Sequence, residues 1–395
     1  MKDLNNLAIL GQLPRFRDFA LHVNLPKSPD KDNFLKLISK VLESKRFTNG
    51  GPLTEQLEHK IATYLGVGEC VLVANGTLGL QLVTRALNLK GEVIVPAFTF
   101  IATANALKWE GITPVFCDID LNTHNICLDH CKQLITPKTS AILGVHLWGR
   151  SCNSRELKKL AEKHKISLFF DASHAFACGK NKQLIGSFGE AEIFSLHATK
   201  AFHTGEGGAI TTNNKYLANK LRKMRSFGFV DYDKTECLGI NAKISELHAA
   251  LGLANLDSLA NSLKVSRNNH QLYSSLLSNI EGIDILQYDQ PHNFHYIVAE
   301  IQENAPLNRN ELLQVLIHEN VIARRYFYPG CHRMAPFGST TSYSPLKNTD
   351  KLAEKILILP GGSNLSSEEV EGVCETIISG FKNSEKIKLK LSENY

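Results

Sequence analysis

Between residues 53 and 212 the chain alternates amphipathic helical patterns with short β-rich runs, and each run ends in polar or turn residues. No other feature restricts the fold as much, because strands separated by helices pair in parallel and bury both faces of their sheet. The alternation predicts an α/β domain with a mostly parallel sheet flanked by helices. Residues 53–65 read as an amphipathic helix, 91–96 as a buried strand, and 114–118, 140–146, 166–171 and 192–197 as further strands. The last two runs carry polar residues at their carboxyl ends, the edge where open α/β sheets bind ligands.

Beyond this region the pattern changes. A long helical stretch (245–269) leads out, followed by a strand at 294–301, a helix at 309–319, an apolar run from 355, and Leu365-Ser-Ser-Glu-Glu-Val, a capping-box start to a last helix. With 395 residues available, two domains are expected. The boundaries read as an N-terminal segment 1–29, a large α/β domain 30–255, a smaller α+β domain 256–385 and a tail 386–395. The mildly basic end of the chain, from Lys382, is expected to be solvated.

Charge and cysteine usage narrow the function classes. The net charge is only +5, with no dense basic block, which argues against nucleic-acid binding. Nine cysteines without a C-x-x-C pair indicate neither a zinc site nor a disulfide framework. Cys127 and Cys131 beside His124 and His130 read as a surface loop and helix, so no metal is expected. No stretch approaches the roughly 18 apolar residues of a membrane span, and the start lacks a signal-peptide core. A cytoplasmic location without membrane partners is expected.

Three constellations carry chemistry. Gly76-Thr77 follows an apolar run and opens a helix, so its free amides and the Thr hydroxyl can bind phosphate; the same Thr also reads as a plain helix cap. Asp171 ends a buried strand, with His174 three residues on. A carboxylate there either caps a helix or meets a cation such as a pyridinium nitrogen. Lys200 lies directly after a strand and before a glycine-rich turn, where partial desolvation lowers an amine's pKa and frees it for Schiff-base chemistry.

The segment Phe194-Ser-Leu-His-Ala-Thr-Lys200, continuing Ala-Phe-His-Thr-Gly-Glu-Gly-Gly-Ala-Ile, resembles the lysine segment of the DegT/DnrJ/EryC1/StrS sugar aminotransferases. Five further pieces match in order: Phe47-Thr-Asn-Gly-Gly-Pro, Pro96-Ala-Phe-Thr-Phe-Ile-Ala-Thr-Ala-Asn, His146-Leu-Trp-Gly, Asp171-Ala-Ser-His-Ala-Phe, and Gly239-Ile-Asn-Ala-Lys-Ile-Ser-Glu-Leu-His-Ala-Ala-Leu-Gly. The resemblance implies the fold type I architecture of pyridoxal-phosphate transferases. It implies pyridoxal 5'-phosphate as cofactor, cycling through pyridoxamine 5'-phosphate. Carried over residue by residue, it makes Lys200 the Schiff-base lysine, Asp171 the partner of the ring nitrogen and His174 a neighbour of the ring hydroxyl. Phe100 would stack on the ring, and Gly76, Thr77 and Ser195 would hold the phosphate. Asn241 would reach that phosphate from a second subunit, implying a homodimer with shared active sites. His197 and Glu206 would lie near the site. Two positions depart from the family: Ser173 where alanine is frequent, and Phe227-Gly228 where a histidine-glycine pair is frequent.

The expected reaction moves an amino group from an amino acid, glutamate by expectation, to a keto-sugar for surface polysaccharide or lipopolysaccharide synthesis. Ile322-Ala-Arg-Arg-Tyr-Phe-Tyr-Pro resembles a segment of the subgroup that aminates nucleotide-linked 4-keto-6-deoxyhexoses. Arg324, Arg325, Tyr326 and His332 are the candidate substrate contacts, the arginines suiting a carboxylate or phosphate. The alternative acceptor is a free keto-sugar acid such as 8-keto-3-deoxy-octulosonate. Lys200 argues against a sugar dehydratase, in which histidine replaces that lysine. A non-catalytic cofactor-binding regulator would be expected to lack Lys200, Asp171 or the Gly-Thr turn, all present here. Another pyridoxal reaction on the same fold stays open, since the pocket chooses which bond breaks.

Overall fold

The computed structural model describes residues 7–289, 291–338 and 345–393. Its centre is a seven-stranded sheet formed by β1 (Glu69–Val73), β2 (Glu92–Pro96), β3 (Thr113–Cys117), β4 (Thr139–Val145), β5 (Ser167–Asp171), β6 (Glu192–Ser195) and β7 (Gly208–Thr212). The spatial order is β1-β7-β6-β5-β4-β2-β3, with β7 antiparallel to both neighbours and every other pairing parallel. The strands read as apolar throughout because alternate side chains enter cores on opposite faces. Val71, Val73, Val93, Val95, Leu143 and Ile193 point to one core, while Leu72, Ile94, Ile142, Phe170 and Phe194 point to those behind the sheet.

The long helix predicted from 245 runs over Glu246–Leu277 without a break. Its first half packs in the large-domain core through Ala249, Ala250 and Leu253, and its end packs in the small-domain core through Tyr273 and Leu277. A boundary at residue 255 therefore falls inside a continuous helix, which acts as the spine joining both domains. The small domain holds a three-stranded antiparallel sheet of β8 (Ile283–Ile285), β9 (Ile297–Ile301) and β10 (Ile356–Leu359). Helices Arg309–His318 and Ser367–Lys382 cover it, and both start with the full capping box.

Both ends of the chain differ from expectation. Leu7, Ile9 and Leu21 lie in the small-domain core, and Leu21–His22 pairs in parallel with Val321–Ile322. The N-terminal segment is thus a strand and wall of the small domain. The expected solvated tail is helix Ser384–Ser392, anchored by fully buried Ile387 in that core. Its charged residues disguise the apolar contacts that anchor it, with Leu391 packed against the same core. Between the domains, Phe98, Val145 and Trp148 interlock with Tyr296, Val298 and Phe327. This seam forms the back wall of the site.

Candidate active site

The carboxyl ends of β1, β2, β5 and β6 open on a cavity of about 410 Å³, which the small domain closes with Asn24, Tyr296, Tyr326 and Phe327. Asp171 ends β5 and is 5% exposed. Its Oδ2 accepts a bond from Thr103 Oγ1 (2.8 Å), and its Oδ1 accepts from Ser173 N (3.0 Å) and Ser173 Oγ (2.6 Å). These donors fix the carboxylate plane but carry no charge, so the buried anion still calls for a cation. Ser173, the departure from the family's frequent alanine, supplies two of the three bonds.

Lys200 stands in the loop between β6 and β7, part of its surface open to the cavity. Its Nζ donates to Tyr296 Oη at 3.2 Å. Desolvation lowers its pKa to about 8, with Asp171 and the Tyr326 phenol opposing the shift. Gly208 allows this loop to close against the first helical turn: a Cβ there would stand 2.6 Å from the Asn75 carbonyl carbon.

At the opposite end, Asn75 caps helix Gly76–Ala86, its side chain accepting from Leu78 N at 2.9 Å. The capping role read for Thr77 therefore belongs to Asn75. Thr77 is exposed to the cavity, and Ser195 faces it from the end of β6. A Cβ on Gly76 would lie 3.3 Å from Ser195 Cβ and fill the gap between helix and strand. The helix start, a Thr and a Ser thus meet at one end of the cavity, and their amides and hydroxyls are the donors an anion needs.

His174 lines the wall between these ends. Burial, with Lys200 and His295 nearby, pushes its pKa well below the usual imidazole range, so it is neutral. Its Nδ1 accepts from Trp148 N (3.3 Å), which leaves the ring proton on Nε2. Phe100 lies 56% exposed at the mouth. On the rim, His197 Nε2 lies 3.6 Å from Glu206 Oε1.

The candidate substrate residues separate. Tyr326 enters the cavity, whereas Arg324 and Arg325 line an adjoining cleft of about 420 Å³ that shares Phe100, Tyr326 and Phe327 as its wall. Arg324 stacks on Tyr326, and Arg325 on Tyr328. His332 is in neither space: its Nε2 meets Asp350 Oδ1 at 3.1 Å and its ring packs edge-on against Phe116, so it is no cavity contact. Asn241 is exposed and lies outside the cavity of its own chain, bonded to Lys243. The sequence reading missed Tyr296, Asn24, Thr103 and His295. Asn24 has backbone φ +57° and lines the cavity, and its Oδ1 is buried with no partner among the described residues.

A buried carboxylate, an amine of lowered pKa and an anion cradle, in one cavity, fit the three ends of the implied cofactor: ring nitrogen, aldehyde and phosphate. Glycine at position 76 lets the helix start approach the end of β6 closely, because a Cβ there would crowd Ser195, so the donors of both elements face the same end of the cavity.

The sequence model of the DegT/DnrJ/EryC1/StrS aminotransferase family matches residues 29–378. A dTDP-4-amino-4,6-dideoxy-D-glucose transaminase of Shigella dysenteriae is 35% identical over 90% of this chain and 98% of its own length. A GDP-perosamine synthase of Escherichia coli O157:H7 is 30% identical over 86% of this chain and 93% of its own. The crystal structure of DesI in the presence of its TDP-sugar product superposes with a TM-score of 0.94 at 37% identity, covering all of both chains. No helix among the described residues is long and apolar enough to cross a membrane.

Proposed function

This chain belongs to the DegT/DnrJ/EryC1/StrS aminotransferase family and is a pyridoxal-phosphate-dependent sugar aminotransferase, and we propose that it moves an amino group from L-glutamate to a nucleotide-linked 4-keto-6-deoxyhexose. The observation that carries the substrate reading is the shared wall of the two cavities. An acceptor whose carbonyl reaches Lys200 extends past Tyr326 toward Arg324 and Arg325, whose guanidinium groups suit a diphosphate. A free keto-sugar acid would offer those arginines a carboxylate but has no nucleotide to fill the rest of the cleft. The name of the Shigella dysenteriae relative, a dTDP-4-amino-4,6-dideoxy-D-glucose transaminase, supports the same class.

The bound cofactor supplies the electron sink. In our reading, Asp171 holds the ring nitrogen protonated, its orientation fixed by Thr103 and Ser173. The amides of Gly76 and Thr77, with the Thr77 and Ser195 hydroxyls, bind the phosphate, and Asn241 joins them from a second subunit of a homodimer. Phe100 covers the ring at the mouth, and neutral His174 donates from Nε2 toward the ring hydroxyl. Lys200 Nζ, released when the donor binds, removes a proton from one carbon and returns it to another. A pKa of about 8 suits an amine that must act as both base and acid near neutral pH.

The test runs the reaction backward: dTDP-4-amino-4,6-dideoxy-D-glucose and 2-oxoglutarate are added to holoprotein, and glutamate is measured by mass spectrometry. Glutamate formed by wild type and not by Lys200→Ala is expected. Turnover of 8-amino-3,8-dideoxy-octulosonate in place of the nucleotide sugar would overturn the acceptor assignment.

A further inference from the structure

Two consecutive residues of the small domain meet two consecutive residues of the lysine loop. His295 Nε2 lies 2.8 Å from the Thr199 carbonyl, and Tyr296 Oη lies 3.2 Å from Lys200 Nζ. Burial lowers His295 to about 4, so its ring is neutral and donates from Nε2 to that carbonyl. Tyr296 is 2% exposed. Its ring stands against Trp148 and His174 (centroids 5.6 and 4.3 Å away), and its carbonyl accepts from Tyr288 Oη at 2.9 Å. The hydroxyl is therefore held in place from three sides. Burial and the Asp171 charge push its pKa up, so it remains a phenol at neutral pH.

We propose that Tyr296 is a positioning residue for Lys200, its phenol holding Nζ at the cavity wall during the interval in which the amine is detached from the cofactor. This rests on Lys200 being the cofactor lysine. A phenol suits the task because it accepts from an ammonium and donates to a neutral amine, so Nζ keeps a partner in either protonation state. An alkyl side chain at this place would offer neither bond, and the freed four-carbon stem would sample other rotamers. Because Tyr296 belongs to the small domain and Lys200 to the large one, the contact also makes seating of the small domain a condition for aiming the base. The charged and titratable groups facing the pair are Asp171, His174, His295 and Tyr326.

The test compares wild type, Tyr296→Phe and Tyr288→Phe as holoproteins. The first readout is the pH midpoint of Lys200 labelling by an amine reagent in the pyridoxamine 5'-phosphate form, where Nζ is detached and no turnover is needed; the second is the rate at which the visible cofactor band converts after mixing the aldehyde form with L-glutamate. The bond to a protonated nitrogen is the stronger of the two, so its loss should lower the Tyr296→Phe midpoint by about one pH unit. The conversion rate should fall about tenfold, with the glutamate dissociation constant within about twofold. Tyr288→Phe, which loosens the Tyr296 backbone without touching Nζ, should keep the wild-type midpoint. If Tyr296→Phe does not fold, Tyr296→Met reads the same hydroxyl. A Tyr296 variant with wild-type midpoint and rate, or a Tyr288 variant shifted equally, overturns the proposal. A wild-type band that persists unchanged in Lys200→Ala would instead overturn the assignment of Lys200 itself.

Discussion

Asp171→Asn separates the charge of the buried carboxylate from its shape. The asparagine oxygen can keep both bonds from Ser173, at 3.0 and 2.6 Å in the parent. Its NH₂ would then face Thr103 Oγ1, which now donates to Oδ2 at 2.8 Å. That hydroxyl can rotate to accept, because its proton has a second acceptor in Thr99 Oγ1 at 3.0 Å. No buried polar group is left unpaired, so the fold should lose no more than about 1 kcal/mol. A melting point within about 4 °C of wild type follows. The charge is a different matter, since removing one partner of a buried ion pair costs about 3–5 kcal/mol. If Asp171 is what keeps the ring nitrogen protonated, the glutamate half-reaction should slow by about two to four powers of ten. Rapid-mixing absorbance after addition of L-glutamate measures that rate, and thermal melting of the cofactor-free protein, in which Asp171 has no ring nitrogen to pair with, measures the fold. The Asp171 charge also raises Lys200's pKa, so the variant's lysine should titrate below the parent's value of about 8. A variant that binds cofactor and converts within about tenfold of wild type would refute the assignment of Asp171 as the charge partner.

Other outcomes follow from single contacts. In cofactor-free protein, the reactivity of Lys200 toward an amine reagent, read by peptide mass spectrometry, should level off near pH 8, while surface lysines keep rising toward about 10. Glu192, fully buried, is pushed up to about 7, so its contribution to stability is complete below about 4.5 and is lost as pH rises through 7. The melting point of Glu192→Gln relative to wild type should therefore improve between pH 6 and 8; a gap that does not move with pH would refute this. Asn24→Gly removes a cavity-lining side chain at a position whose φ of +57° glycine tolerates, so KM for the acceptor sugar should rise about five- to tenfold with the melting point within about 4 °C of wild type. His332→Asn should leave kcat/KM within about twofold, because the His332 ring faces Asp350 and Phe116 and lies outside the cavity.

What the sequence made legible tracks how local its signal is. Asp171, Ser195 and Lys200 stand at or just past strand ends, so an apolar run followed by a polar residue marks each of them and the sheet brings them together without further information. Ser366 with Glu369 announced a capping box that the helix Ser367–Lys382 forms as read. Apart from the helix cap, which falls to Asn75 and not to Thr77, the misreadings are contacts between distant parts of the chain. Tyr296 meets Lys200 across 96 residues from an irregular segment just before β9, and no periodicity there says which side of the seam its hydroxyl will reach. Leu21 pairs with Val321 across 300 residues in a two-residue strand too short to carry a period. His332 invited a functional reading because it follows the Arg-Arg-Tyr-Phe-Tyr-Pro run, yet the chain turns back there, and Cys331 and Phe337 join the large-domain core instead. The division has a physical basis. The large domain supplies the charges of the site from the ends of regular strands, whereas the small domain supplies the polar groups that close it, from irregular segments whose place depends on how the helix Glu246–Leu277 sets one domain against the other. The ionic chemistry is therefore readable from sequence, and the groups that aim it and choose its substrate require the fold.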